Sequence, residues 1–324
     1  MPKLFINDFG RLRSGWRALI FCFVCLAILL LTGIALRVVY LVLFELGPLP
    51  RLEFLPDFIF RISLLIAALG AGYVCARWLE DQPWKSLGLT LHQNWLRDLL
   101  VGFAMGFVAL ALAVGIAAAP GGLRFSFGAA SGTILPVLRS LVGSAFLLCV
   151  AALAEEALFR GYSLQTFSRA HLAWVGIIVT LLFFGYGHLS NPHATLGMTF
   201  FNTSLAGLWL GIGYLRTRSL WFPLGLHWSW NWALGAFFGL PISGRELVSH
   251  PLLKGNDLGP MWLTGGNYGI EGGIAGTIAL VLVTLFTWRT RLVSATPELK
   301  KLTSEENPVV ASPVVTIRPT DDAA

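Results

Sequence analysis

Eight apolar stretches, each long enough to cross a bilayer, constrain this sequence more than any other feature. A transmembrane helix needs about 17 to 25 mainly apolar residues. Runs of this kind recur at 17–43, 58–79, 98–119, 135–158, 172–190, 196–215, 219–239 and 268–288. Asp, Glu, Lys and Arg make up only 12% of the 324 residues, against about 25% in a soluble domain. The sequence therefore predicts an all-α polytopic membrane bundle of about eight helices.

Basic residues set the expected orientation, because Lys and Arg concentrate on the cytoplasmic side of membrane proteins. If the N-terminus is cytoplasmic, that side carries more than twice as many basic residues as the other side. We therefore expect a multi-pass protein of the cell membrane with both termini in the cytoplasm. The net charge of +6 does not indicate nucleic-acid binding, because the basic residues are not clustered with aromatic ones. The lipid bilayer is the expected partner.

The chain divides into four predicted segments. Residues 1–134 hold about three N-terminal transmembrane helices, and residues 135–239 form a core that carries the polar motifs. Residues 240–291 comprise an outer loop and the last transmembrane helix. The loop, 240–267, is rich in Gly and Pro and too polar to span a membrane, so it could act as a lid. Residues 292–324 lack helical periodicity, which predicts a disordered cytoplasmic tail.

The first polar motif lies at the end of the fourth run. Ionisable groups at membrane depth are costly and are therefore candidates for function. Glu156 and Arg160 are four residues apart, so they share a helix face and can pair. Glu155 lies about 100° around the helix from its neighbour, so it can point elsewhere and react. The alternative interpretation is an ordinary interfacial ion pair at a helix end.

Two further polar motifs follow in the fifth and seventh runs. A lone intramembrane histidine such as His188 often serves only in packing. His227 and Asn231 are four residues apart and face one way. Both can donate hydrogen bonds to a developing oxyanion. Polar contacts between helices are the alternative explanation for this pair.

Helix geometry predicts that the motifs meet. Glu155 and His188 lie about 22 and 27 Å from a shared hairpin apex near Ala170, at 1.5 Å rise per residue. This agreement in depth requires the fourth helix to continue past Arg160 toward Ser168. We therefore expect an intramembrane polar cavity lined by the motifs.

The three motifs resemble the core of the CAAX prenyl endopeptidase / abortive-infection (CPBP) family of intramembrane proteases. That family has E-E-x-x-x-R, F-x-x-x-H and H-x-x-x-N motifs in this order. The corresponding residues here are Glu155, Glu156 and Arg160, then Phe184 and His188, then His227 and Asn231. The resemblance covers about residues 135–235.

The resemblance implies an intramembrane endopeptidase that hydrolyses a peptide bond in a membrane-associated protein or peptide. It implies that Glu155 and His188 activate a water, while His227 and Asn231 stabilise the tetrahedral oxyanion. The resemblance further implies that the ion pair of Glu156 and Arg160 orients Glu155. A prenylated CAAX protein, a bacteriocin leader peptide and an unrelated membrane protein all fit as substrates.

A zinc site is an alternative use of the same residues. Glu155, His188 and His227 could form a His/His/carboxylate set with one open position, as in metalloproteases. The sequence has no H-E-x-x-H motif, the strongest zinc-protease signal. The metal-free mechanism is therefore favoured, and no cofactor is assigned, although zinc remains an alternative.

Two non-protease functions also fit the composition. A proton-coupled transporter could use the buried acid and histidines as a relay. Transport would need charged or broken helices in both halves of the chain, however, and the first three runs are poor in them. A non-catalytic membrane scaffold or immunity protein is the other alternative, and it predicts that the motif residues are dispensable.

Overall fold

The computed structural model of this protein describes residues 2–47, 54–128 and 133–303 as a helical bundle. Three π-helical segments extend α2, α5 and α9, namely Leu41–Glu45, Ala157–Ser163 and Ala233–Phe237. The helices are α1 (Pro2–Phe5), α2 (Ser14–Tyr40), α3 (Leu55–Glu80), α4 (Trp95–Ala118), α5 (Leu135–Glu156), α6 (Leu164–Arg169), α7 (Ala173–Gly187), α8 (Met198–Thr217), α9 (Trp221–Trp232), α10 (Met261–Thr264), α11 (Ile274–Arg289) and α12 (Pro297–Thr303).

A helix lies at each of the eight predicted apolar runs. Five described segments are long and apolar enough to cross a membrane: Ser14–Glu45, Leu55–Glu80, Trp95–Ala118, Leu135–Arg169 and Ala173–Ser190. A sixth, α11, is apolar but shorter. The other two, α8 and α9, are shorter or more polar and are largely buried inside the bundle. The predicted all-α membrane bundle is confirmed.

Glycines allow α4 and α9 to pack in very close contact. A Cβ atom added to Gly102 would lie 2.3 Å from the carbonyl oxygen of Phe222, and one on Gly106 would lie 2.3 Å from that of Leu226. Gly225 supplies the matching small residue on α9. Such small residues let transmembrane backbones approach closely. This contact, called here the glycine seam, fixes the helix that carries the third motif.

The segment 240–267 is more ordered than a simple loop. It contains β2 (Leu253–Asp257), which pairs antiparallel with β1 (Leu123–Phe127) beside the bundle. Ser243 also donates from its backbone nitrogen and its hydroxyl to Glu271 Oε2, at 2.7 and 2.8 Å. None of the five described candidate spans falls in this segment, and the strand within it was not predicted.

The region after α11 also differs from the sequence prediction. Where disorder is predicted from residue 292, the structure has α12 with Leu299 only 1% exposed. Arg218 Nη1 donates to the carbonyl oxygen of Thr303 at 3.4 Å, which ties this helix to the bundle. A helix this short is too brief to show periodicity in the sequence. The rest of the predicted tail, 304–324, lies outside the described residues.

Candidate active site

The fourth predicted run continues beyond its motif, as the depth argument requires. It passes through the π-helical segment Ala157–Ser163 and then α6, which ends at Arg169. The backbone bends inside this segment at Gly161, where φ is −62° and ψ is −105°. The hairpin that follows brings Glu155 and His188 to the same cavity.

This cavity has a volume of about 670 Å³. Four of the six predicted site residues line it: Glu155, His188, His227 and Asn231. The remaining two, Glu156 and Arg160, are fully buried behind its wall. The structure therefore brings together the three motifs that the sequence placed on separate helices.

The predicted ion pair is present, and it connects three helices. Arg160 Nη1 lies 3.0 Å from Glu156 Oε1, and both side chains are 0% exposed. Arg160 Nη2 donates to the carbonyl oxygen of Gly207 in α8 at 3.0 Å. The same Glu156 oxygen lies 2.9 Å from Nδ1 of His227 in α9. The carboxylate of Glu156 thus contacts both Arg160 and His227.

The contacts of His227 determine which of its nitrogens faces the cavity. An ionised carboxylate only accepts hydrogen bonds, so Nδ1 of His227 donates to Glu156. The opposite nitrogen, Nε2, lies 3.8 Å from Oε2 of Glu155. Asn231 follows one turn later on the same helix and lines the same cavity. Nε2 of His227 therefore lies beside Glu155, the first carboxylate of the E-E-x-x-x-R motif.

The contacts of His188 fix its ring in a different way. Its Nδ1 lies 2.8 Å from the carbonyl oxygen of Phe184, one turn earlier in the chain. A carbonyl oxygen can only accept, so Nδ1 carries the proton and Nε2 of the neutral ring carries the lone pair. In the F-x-x-x-H motif, the backbone carbonyl of Phe184 thus positions the ring of His188.

Arg61 of α3 is a site residue that the sequence analysis missed. Its Nη1 lies 2.9 Å from Glu155 Oε1, and its Nε lies 3.6 Å from Asp57 Oδ2. The sequence predicted only that Glu155 points away from the Glu156–Arg160 pair, and it did not predict this ion pair with Arg61. Glu155 Oε2 is buried and makes no hydrogen bond to any described residue. An arginine within the first turn or so of an apolar run was the available signal.

We predict that Arg61→Gln lowers kcat about tenfold, which corresponds to about 1.4 kcal/mol. Arg61 holds one oxygen of Glu155, so its loss lets that carboxylate rotate away from a productive position. The measurement is steady-state proteolysis in detergent, together with thermal unfolding. The matched control is Asp57→Asn, which changes a group that contacts Arg61 but not Glu155. An unchanged kcat in Arg61→Gln would contradict the positioning role, and Arg61→Lys should restore part of the rate.

The zinc alternative requires three ligand side chains around one position. In the part of the chain that the structure describes, no three His, Cys, Asp or Glu side chains are arranged to hold a metal ion. Nδ1 of each histidine is engaged, one by Glu156 and the other by a backbone carbonyl. Metal-ligating histidines make the same contacts through their second nitrogen, so these hydrogen bonds do not distinguish the two mechanisms. Because the described residues do not form the three-ligand set, we derive no step through a metal.

Fold and site together define a polytopic membrane protein with a polar cavity suited to acid–base chemistry. A family model described as Rce1-like, Type II CAAX prenyl endopeptidase Rce1-like, matches residues 137–233. All three motifs lie inside that range, and the match confirms the family resemblance of this part of the chain. It supports a peptidase that acts on a membrane-associated peptide. A search of curated proteins finds no match.

Proposed function

We propose that this protein is an intramembrane endopeptidase in which Glu155 activates the attacking water without a metal. The observation that carries the proposal is the position of Glu155 Oε2. This oxygen is buried, makes no hydrogen bond to a described residue, and lies 3.8 Å from Nε2 of His227 in the cavity. A carboxylate placed in this way can take a proton from a water held between it and the substrate.

The first step uses Glu155 and His188. Arg61 holds Oε1 of Glu155 at 2.9 Å, so Oε2 is the oxygen that accepts the proton of the water. The Nε2 lone pair of His188 accepts the second hydrogen of that water and positions it. The water oxygen then bonds to the carbonyl carbon of the substrate. The protonated carboxyl later gives its proton to the leaving amine nitrogen as the C–N bond breaks.

The charge that develops on the substrate oxygen needs donors already aimed at it. His227 lies between two carboxylates, those of Glu156 and Glu155, and this environment suits a ring that carries a proton on both nitrogens. Its Nε2–H then donates to the oxyanion. The side-chain amide of Asn231, one turn away, supplies the second donor.

The substrate in this proposal is a membrane-associated protein or peptide, and trapping would identify it. Membrane proteins are compared between cells that express wild type and cells that express Glu155→Gln. We expect one or a few proteins to accumulate uncut in the variant. Glu298→Gln, on the exposed surface of α12, is the matched control. If no protein differs between the strains, a non-catalytic scaffold function replaces the proposal.

The role of His227 separates a hydrogen-bond donor from a metal ligand. An oxyanion-hole donor contributes about 2.7–4 kcal/mol, so its removal costs about 10²- to 10³-fold in kcat. We predict that His227→Asn, which keeps a shorter donor, retains measurable activity. We also predict that a chelator does not inhibit the wild-type protein.

The exposed His250 offers a matched control for this experiment, since His250→Asn should have wild-type activity. Metal content is measured in the same purified samples. Stoichiometric zinc in wild type, lost together with all activity in His227→Asn, would replace the metal-free mechanism with a metalloprotease mechanism.

A further inference from the structure

Contacts between helix ends show which segments share one end of the bundle. Arg17, at the start of α2, contacts Glu80 at the end of α3, with 2.7 Å between Nη1 and Oε1. Thr166 of α6 donates to the same carboxylate. Arg218, in the turn between α8 and α9, donates to Ser168. These elements therefore lie together at what we call the basic end.

Two more contacts complete the basic end. Arg216 donates to the carbonyl oxygen of Thr290, which places the end of α11 there. Ser219 Oγ donates to the carbonyl oxygen of Gly88 at 3.2 Å, which places the segment between α3 and α4 there as well. The basic end thus collects the start of α2, the end of α11 and three connections between helices.

Lys and Arg residues are distributed unevenly between the two ends. Arg160 is buried near the middle of the bundle, and most of the other described basic residues lie at the basic end, roughly twice as many as at the opposite end. The opposite end carries Arg37, Arg61, Arg124, Arg139, Arg245 and Lys254. Because Lys and Arg mark the cytoplasmic side, this bias assigns the basic end to the cytoplasm.

The active-site cavity is open at the end of the bundle opposite the basic end. Its exposed lining residues come from the start of α3 and from the segment before β2. Phe54 is 50% exposed and Leu247 47% exposed, and Ser249 is also exposed. Deep in the cavity, Trp209 is only 2% exposed. Within the described chain, none of the lining residues belongs to the basic end.

We infer that the cavity opens on the extracytoplasmic side of the membrane and receives its peptide from that side. The substrate class is then the extracytoplasmic or outer juxtamembrane segment of a membrane protein or membrane-bound peptide. The cleavage of that segment rests on the proposed function, whereas the side on which the cavity opens does not. A peptide that ends in the cytoplasm would meet the closed end of the bundle.

Chemical labelling tests the direction of the opening. Ser249→Cys and Leu247→Cys place a thiol at the cavity mouth, and Ser294→Cys places one at an exposed position at the basic end. The four native cysteines, Cys22, Cys25, Cys75 and Cys149, lie within membrane helices, so wild type serves as the blank. The probe is a membrane-impermeant maleimide, applied to sealed right-side-out vesicles before and after permeabilisation.

We expect the mouth variants to be labelled in sealed vesicles and Ser294→Cys to be labelled only after permeabilisation. The reverse pattern would overturn the inference and leave the proposed function intact. A second readout comes from the proteins that Glu155→Gln traps, whose cut sites should map to the extracytoplasmic side. Cut sites on the cytoplasmic side would overturn it too. Labelling as expected without any trapped protein would contradict the proposed function alone.

Discussion

Glu155→Gln is expected to lower the rate of peptide hydrolysis by about 10²- to 10⁴-fold while the protein remains folded in the membrane. The amide keeps the shape of the side chain, and its oxygen can still accept the hydrogen bond from Arg61. It cannot accept a proton from water at neutral pH, so the first chemical step loses its base. The measurement is single-turnover cleavage of a substrate found by trapping, with thermal unfolding in detergent as the test of folding.

A Glu→Gln change elsewhere controls for this experiment. Glu298→Gln removes an exposed carboxylate of α12, far from the cavity, and should cleave at the wild-type rate. Full activity of purified Glu155→Gln would refute the assignment of the general base. Activity lost together with the unfolding transition would instead show that the carboxylate is needed for the fold, against our expectation.

Arg160→Ala should have the largest effect on stability, because it leaves a buried carboxylate without its cation. Both side chains of the pair with Glu156 are 0% exposed. Breaking a buried pair in this way costs about 3–5 kcal/mol. The variant also loses the hydrogen bond to α8 and loosens the carboxylate that holds His227. We therefore expect a clearly lower unfolding temperature in detergent together with strongly reduced activity.

The chain contains a matched control for this second prediction. Arg77 and Asp81 also lie four residues apart, but their side chains are 56% and 75% exposed. Exposed pairs contribute little to stability, so Arg77→Ala should unfold at almost the wild-type temperature. Equal unfolding temperatures for Arg160→Ala and Arg77→Ala would show that burial of the first pair does not stabilise the protein.

Features that depend on local sequence were predictable. Hydropathy located a helix at each of the eight runs, because a span needs an uninterrupted apolar run. The largest differences are α11, which begins six residues after its predicted start, and the fourth segment, which continues to Arg169. The pairing of Glu156 with Arg160 follows from spacing within one helix. The meeting of Glu155 and His188 followed from their similar distances to a shared hairpin, about 22 and 27 Å. Each of these conclusions uses only separations along one helix or one hairpin.

Contacts between distant segments were not predictable in the same way. Arg61 and Glu155 are 94 residues apart, and Glu156 and His227 are 71 apart. Periodicity shows which residues share a helix face, but not how one helix is rotated against the next. The pairing of β1 with β2 was missed for the same reason. It joins two short segments far apart in the chain, and only β1 (Leu123–Phe127) alternates apolar and polar residues, whereas β2 (Leu253–Asp257) does not.

The glycine seam has a consequence for how the protein is made. On the ribosome α4 is synthesised and inserted early, whereas α9 follows only after α5, α6, α7 and α8. The α4 surface at Gly102 and Gly106 therefore has no α9 to pack against until that later helix has been inserted. His227 is delivered to Glu156 only when that contact closes. A nascent chain stalled before α9 would carry Glu155 without His227, so under the proposed mechanism cleavage could begin only after seven predicted spans have been inserted.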